Sequence, residues 1–280
     1  MRKLTSLVST GILAACAASL WADSYAPYPD NVQVESTGRF YVVVKVLPGG
    51  PGDPGRGTPV EVSIAERKKD SPPVLAARTA PKAAALPEQD EPEIAVREGG
   101  TLHGRVRLGR VPRQIVISST GLGFVGLDVN GYNFAWPGQR KRTDDAVVYV
   151  GPDGTVKFRK DTLDLFDDHE MGQFRAITAG GVWWCGGGWF DEKRKQFVIV
   201  GNAMQSTPKQ RFFRILDLET GELSKGSADL VVTALKDANP GALTLALDLA
   251  AELELKEVQP YLGRILWSTD FPPEGRAKSM

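Results

Sequence analysis

Asp167-Asp168-His169-Glu170 is the densest run of metal-ligating side chains in the sequence. Hard divalent cations take carboxylate oxygens, and imidazole suits transition metals. Asp167, Asp168, His169 and Glu170 are therefore the candidate metal ligands, and a metal-dependent hydrolase would use them in that role. The run does not follow an EF-hand loop, which needs Gly at its bend and ligands at alternating positions. The competing reading is a short acidic helix or surface loop over residues 161–170, with Leu163, Leu165 and Phe166 turned inward.

A second candidate is Val182-Trp183-Trp184-Cys185-Gly186-Gly187-Gly188-Trp189-Phe190. An indole offers a flat apolar face with one donor at its edge. Trp183, Trp184 and Trp189 could form a stacking platform for sugars, which would make the chain a carbohydrate-binding module. The alternative puts the rings in the core, with the glycines letting backbones approach closely. Core burial is the commoner fate of large aromatics.

Other nucleophile and phosphate chemistries find little support. Cys185 would need a base beside it to act as a nucleophile, and neither histidine, His103 or His169, is near it in sequence. Ser118-Ser119-Thr120-Gly121 lacks the Gly-x-Ser-x-Gly elbow of serine hydrolases. Gly121-Leu122-Gly123 does not continue as a dinucleotide fingerprint, and no Walker loop is present. Arg140-Lys141-Arg142 sits beside Asp144 and Asp145 and reads as a solvated loop. No catalytic residue and no cofactor is assigned.

The elements that carry these residues are mostly strands. Phe40-Tyr41-Val42-Val43-Val44-Lys45-Val46 is β-branched and aromatic. It ends at a Pro/Gly run over residues 48–55 that cannot be strand or helix interior. Residues 59–65 read as one more strand within a segment, 48–98, that is otherwise a Pro-, Gly- and Ala-rich loop or linker. From residue 99 short strands recur at 105–108, 114–117, 124–129, 146–150, 155–158, 196–200 and 212–218. Gly151-Pro152-Asp153-Gly154 reads as a tight hairpin turn, with Pro fixing φ and Gly taking positive φ. Glu219-Thr220-Gly221 reads as another.

The tail changes period. Residues 228–238 read as a helix. Asn239-Pro240 looks like an N-cap followed by Pro at the first helical position. Leu243, Ala246, Leu247, Ala250 and Leu253 then recur at helical spacing, and Gln259-Pro260 starts a further helix. The expected fold is mainly β, with antiparallel hairpins from about residue 32 to 226 and a small C-terminal helical segment. Its parts are 1–22 (leader), 23–47 (N-terminal strands), 48–98 (loop or linker), 99–227 (β-domain) and 228–280 (helical tail).

Ser36-Thr37-Gly38 and Ser119-Thr120-Gly121 both precede an aromatic residue and Val at the start of a strand. With the turns at 151–154 and 219–221, they resemble the hairpins of β-propeller blades. A blade takes about 40–45 residues, so residues 99–227 equal about three, and a closed propeller needs about four or more. The N-terminal strands would supply a further blade. Otherwise the fold is an open, blade-like stack, and the open stack is the favoured reading. Asp237-Ala238-Asn239-Pro240, Ala250-Ala251-Glu252-Leu253 and Val258-Gln259-Pro260-Tyr261-Leu262 together resemble one HEAT-type helical repeat. One such unit cannot bury its own face, so it is expected to pack on the β-part as a cap.

The N-terminus sets the compartment. Arg2-Lys3 precedes an uncharged stretch, residues 4–20, and Trp21-Ala22-Asp23 returns to polar sequence, which is the layout of a secretory signal peptide. Two ends are open: cleavage after Ala22, or lipidation at Cys16, because Leu13-Ala14-Ala15-Cys16 resembles a bacterial lipobox. Export to the periplasm, the outer surface or the medium follows from either. Of 2 Cys in the chain, only Cys185 lies beyond the leader, which excludes a disulfide-stapled mini-domain. The 34 basic residues balance 34 acidic ones, which argues against bulk nucleic-acid binding. The sequence as a whole resembles exported bacterial proteins with propeller-like repeats and no assigned activity. The resemblance implies a non-enzymatic envelope protein that binds another macromolecule, either protein or cell-envelope glycan.

Overall fold

The computed structural model describes residues 33–36, 39–47, 59–67, 100–109, 112, 114–127, 146–174, 176, 177, 181, 182, 184–204, 206, 207 and 209–266. The leader with Cys16, Trp183 and the basic run 140–142 lie outside the described residues, as does most of 48–98. The chain divides into residues 1–31 and 32–280, and every described residue belongs to the second unit.

The strands fall into three antiparallel sheets, each of 4 strands in chain order. Sheet 1 holds β1 (Gln33–Ser36), β2 (Phe40–Val46), β3 (Val60–Arg67) and β4 (Gly100–Leu108). Sheet 2 holds β5 (Gln114–Ile117), β6 (Phe124–Leu127), β7 (Val147–Val150) and β8 (Val156–Lys160). Two one-turn helices follow, α1 (Thr162–Leu165) and α2 (Asp168–Met171), and then a two-stranded ribbon, β9 (Ala176–Ile177) and β10 (Gly181–Val182). Sheet 3 holds β11 (Cys185–Asp191), β12 (Gln196–Ala203), β13 (Arg211–Asp217) and β14 (Leu223–Gly226). The tail is α3 (Asp229–Lys236), α4 (Leu243–Glu252), a 3₁₀ turn (Lys256–Val258) and α5 (Gln259–Leu266). No helix among the described residues is long and apolar enough to cross a membrane.

The expected division at residue 98/99 falls inside sheet 1. β3 lies within the segment read as a linker, and it pairs with β2 on one side and β4 on the other. The Pro/Gly run over 48–55 therefore connects two neighbouring strands of one sheet.

Side-chain alternation stacks the layers. On β2 and β3, Phe40, Val42, Val44, Val60, Val62 and Ile64 share one apolar cluster with Phe124, Val148 and Val150 of sheet 2. The intervening residues of β6 and β7, Val125, Val147 and Tyr149, face the other way and join Phe190, Phe197, Ile199 and Leu216 of sheet 3. Sheet 3 repeats the pattern. Trp189, Val198, Val200 and Phe213 point away from sheet 2 and are covered by α3, α4 and α5. Val231, Ala234 and Leu235 of α3, and Leu243, Ala246 and Ala250 of α4, recur at helical spacing and form the inward stripe. Arg211 on β13 clamps this layer through a two-point contact with Glu252 of α4, at 2.9 and 2.5 Å. β5, the first strand of sheet 2, lies against β11, the first strand of sheet 3, and against β1 and β2 of sheet 1.

The turns close the interfaces. Gly154, at φ 79°, ends the β7–β8 turn with its backbone pressed on Arg105 of β4, where a Cβ would come within 2.5 Å of the Arg105 nitrogen. Gly221, at φ 74°, does the same for the β13–β14 turn against the Phe158 ring of β8. Each later sheet thus seats its last turn on the last strand of the sheet before it.

Asn239 does not cap a helix. α4 begins at Leu243, three residues beyond the expected start, after an N-cap position, Ala242, that has no side-chain bond. The Asn239 amide donates to the Phe190 carbonyl at 2.6 Å and its carbonyl accepts from Gly241 N at 3.1 Å. The side chain ties the α3–α4 turn to β11 and is not available to α4.

Gly104 of β4 meets the same turn as Gly154. A Cβ there would lie 2.2 Å from the Asp153 carbonyl carbon. Gly104→Ala is expected to destabilise the chain by about 1–3 kcal/mol, the usual cost of overpacking. Gly109→Ala, with nothing within 4 Å of the added carbon, is expected to stay within about 0.5 kcal/mol. Urea unfolding of both variants checks the pair.

Candidate functional site

The acidic run folds into α2 and its cap. Asp167 accepts from Glu170 N at 2.8 Å, and Asp167 N donates back to Glu170 Oε2 at 3.1 Å. This reciprocal pair is a capping box. Asp161 and Asp164 build the same box on α1. Helices of 4 residues do not stand alone in water, and Arg214 of β13 holds both. Its Nη2 donates to Glu170 Oε2 at 2.5 Å and its Nε to the Leu165 carbonyl at 2.6 Å. Its guanidinium lies 5.0 Å from the Phe166 ring centre. Lys225 Nζ donates to the other Glu170 oxygen at 3.1 Å.

Glu170 is therefore buried against two cations, while Asp167, Asp168 and His169 are exposed. Burial alone would raise the Glu170 carboxyl, but Arg214, the Asp167 N–H and Lys225 outweigh it and hold it below its ordinary range. The Glu170 N–H holds Asp167 low in the same way. The four candidate ligands do not converge. Among the described residues no group of three or more His, Cys, Asp or Glu side chains is placed to hold a metal ion.

The tryptophans are also apart. Trp184 is buried between sheets 2 and 3, with its ring centre 5.8 Å from that of Phe166. Trp189 is buried on the opposite face of sheet 3, under the helices. They share no platform. Of the three residues that the helix-or-loop reading of this segment turns inward, Leu165 and Phe166 are buried and Leu163 is half-buried. Cys185 is buried at the start of β11 and is in no disulfide.

A different polar centre joins sheets 2 and 3. Ser118, fully buried at the end of β5, shares its hydroxyl between both oxygens of Glu192, each at 3.0 Å. Ser119 N donates to Glu192 Oε1 at 2.7 Å, and the Ser119 hydroxyl donates to it at 3.1 Å. The Thr120 hydroxyl donates to Oε2 at 2.6 Å. Ser118 Oγ also accepts from Leu122 N at 2.9 Å, which fixes the β5–β6 turn around it. Glu192 sits in the β11–β12 hairpin, so one carboxylate locks the first turn of sheet 2 to the first turn of sheet 3. Tyr149 donates to the Leu122 carbonyl at 2.8 Å. Burial, and then the negative charges of Glu192 and Asp153, push its phenol up.

Beside this lock is a cavity of about 250 Å³. Trp189, Val198, Leu230 and Ala234 give it apolar walls, and Ser119, Thr120, Glu192, Asp237 and Asn239 line it with polar groups. Of the residues named in the sequence reading, Ser119, Thr120, Trp189, Asp237, Asn239 and Pro240 line it, only Trp189 among them as a ligand candidate. Glu192 carried no signal in sequence, because it meets its partners only through long-range folding. The Ser-Thr-Gly repeat did mark the turn that receives Glu192.

No family model, curated protein or solved structure matches this chain.

Removing Arg214 leaves Glu170 buried against one exposed lysine. Arg214→Ala is expected to cost about 3–5 kcal/mol, the usual penalty for breaking a buried pair. The depressed carboxyl of Glu170 sets the sign with pH. Its contribution is complete above the ordinary value of 4.5 and is lost as pH falls through the lower folded value. Glu170→Gln should therefore be less stable than wild type at neutral pH and lose less on acidification below that value. Urea midpoints measured from neutral to acid pH read both effects.

Proposed function

We propose that the chain is an exported, non-enzymatic binding protein of the cell envelope. In this reading each four-stranded meander is one propeller-like blade. Three blades stack without closing, and the HEAT-like helical tail caps the last one. The observation that carries it is the repeated interface: Gly154 seats on β4 as Gly221 seats on β8, with the first strands of the sheets side by side. Open stacks of this kind offer a long surface to a macromolecule, here a protein or a cell-envelope glycan. The basic start and uncharged stretch of the leader support export, with maturation after Ala22 or at Cys16.

Two experiments test the reading. Expressed with its own leader in a bacterial host, the chain should leave the cytoplasm. Intact mass then separates loss of residues 1–22 from an acylated Cys16, and Cys16→Ser should remove any acyl mass. Full-length protein retained in the cytoplasm would end the export reading. For binding, residues 23–280 immobilised against envelope extracts and glycan fragments should retain one component in a saturable way. Retention of nothing, alongside turnover of an ester, phosphate or glycosidic substrate, would make the chain an enzyme and overturn the proposal.

A further inference from the structure

The geometry points to a small organic cation, an ammonium or guanidinium group on an apolar body, as the ligand of the cavity walled by Trp189 and Glu192. This rests on the cavity alone and stands apart from the macromolecular reading.

The space and its walls come first. About 250 Å³ is at the small end of ligand pockets and equals roughly eight waters at about 30 Å³ each. Trp189, Val198, Leu230 and Ala234 favour an apolar body there. An indole is also the strongest aromatic partner for a cation.

Charge decides the rest. Among the described residues every bond to the Glu192 carboxylate comes from a neutral donor: three hydroxyls and the Ser119 N–H. The neighbouring cations are engaged elsewhere. Arg194 pairs with Asp191 at 2.6 Å and with Asp237 at 3.4 Å, and Lys193 pairs with Asp237 at 3.6 Å. Asp191, Glu192 and Asp237 thus line the cavity beside one lysine, Lys193, while Arg194, outside the lining, pairs with Asp191 and Asp237; among the described residues the carboxylate left without a cation is Glu192. An anionic ligand is repelled, and a neutral one gains only from the apolar walls. A cation gains from both the walls and the carboxylate. The same chemistry is found in a free amine and in the lysine side chain of a partner protein.

The test is calorimetric titration of the purified full chain with phenethylamine, its neutral isostere phenethyl alcohol, its anionic counterpart hydrocinnamate, and Nα-acetyl-lysine amide. Phenethylamine should bind about tenfold more tightly than the alcohol, equivalent to about 1.4 kcal/mol, and hydrocinnamate should not bind. Equal affinity for the amine and the alcohol, or no binding by any probe, overturns the proposal. If Nα-acetyl-lysine amide binds as well as phenethylamine, the source is a partner's side chain. If it does not, the source is a free amine.

Glu192→Gln keeps one acceptor oxygen for Ser118 and Ser119, and its amide N–H can donate to the Thr120 hydroxyl in place of the bond that hydroxyl now gives to Oε2. It should lower amine affinity to that of the alcohol while leaving the alcohol unchanged, and amine affinity equal to wild type would overturn the assignment. Thr233 lines the cavity from α3 and is not fully buried. Thr233→Met should fill the space and weaken every probe, which decides the location even if Glu192→Gln fails to fold. Undiminished binding by Thr233→Met would place the ligand elsewhere.

Discussion

A sheet packed between two other layers has no face left for water, and sheets 2 and 3 are both in that position. Val147, Val148, Tyr149 and Val150 of β7 are all buried, with odd and even positions serving different neighbours. Phe197, Val198, Ile199 and Val200 of β12 do the same one layer further on. Burying one such side chain fully is worth about 1.5–3 kcal/mol, whereas an exposed ion pair is worth about 0–1 kcal/mol. The apolar layers therefore hold the stack together. They also make the helices obligatory, because Trp189, Val198, Val200 and Phe213 would otherwise face water.

Apolar layers can slide, and the polar bonds at their edges fix the register. Glu192 locks sheet 3 to the first turn of sheet 2, and Arg211 locks sheet 3 to α4 through Glu252. Arg214 binds α1 and α2 to β13. Each bond is directional and each is at least partly screened from water, so a displaced layer would leave a buried acceptor or guanidinium without its partner. Few bonds are needed for this, because one charged group with several partners specifies one position.

How far this was legible in sequence follows from the range of each interaction. β2, β7, β12 and the turn at 151–154 are written in local composition, and the structure has them where period and turn chemistry put them. α3 and α5 were legible for the same reason. Residues 59–65 were legible as a strand, but the place of β3 between β2 and β4 was not, because that pairing joins residues as far apart as Val60 and Leu108 across the segment read as a linker. The start of α4 was misplaced because Asn239 is drawn to Phe190 on a distant strand. The metal reading of Glu170 could not anticipate Arg214, which is 44 positions away. Glu192, 74 positions from Ser118, was invisible for the same reason.

The cavity lies where it does because the third interface differs from the first two. Where sheet meets sheet, the turns at Gly154 and Gly221 bring the later sheet into contact with a strand of the earlier one. Where sheet 3 meets helices, there is no further sheet to provide such a turn. An α-helix presents a curved ridge to a twisted surface, and the Asn239 turn, the Glu192 hairpin and the Ser119-Thr120 turn line the space between them. Glu192 is itself committed to sheet 2, so it cannot fold over the opening. Ending a stack of sheets with helices has thus left a small space with apolar walls and, among its charged lining residues, one carboxylate that no described cation pairs.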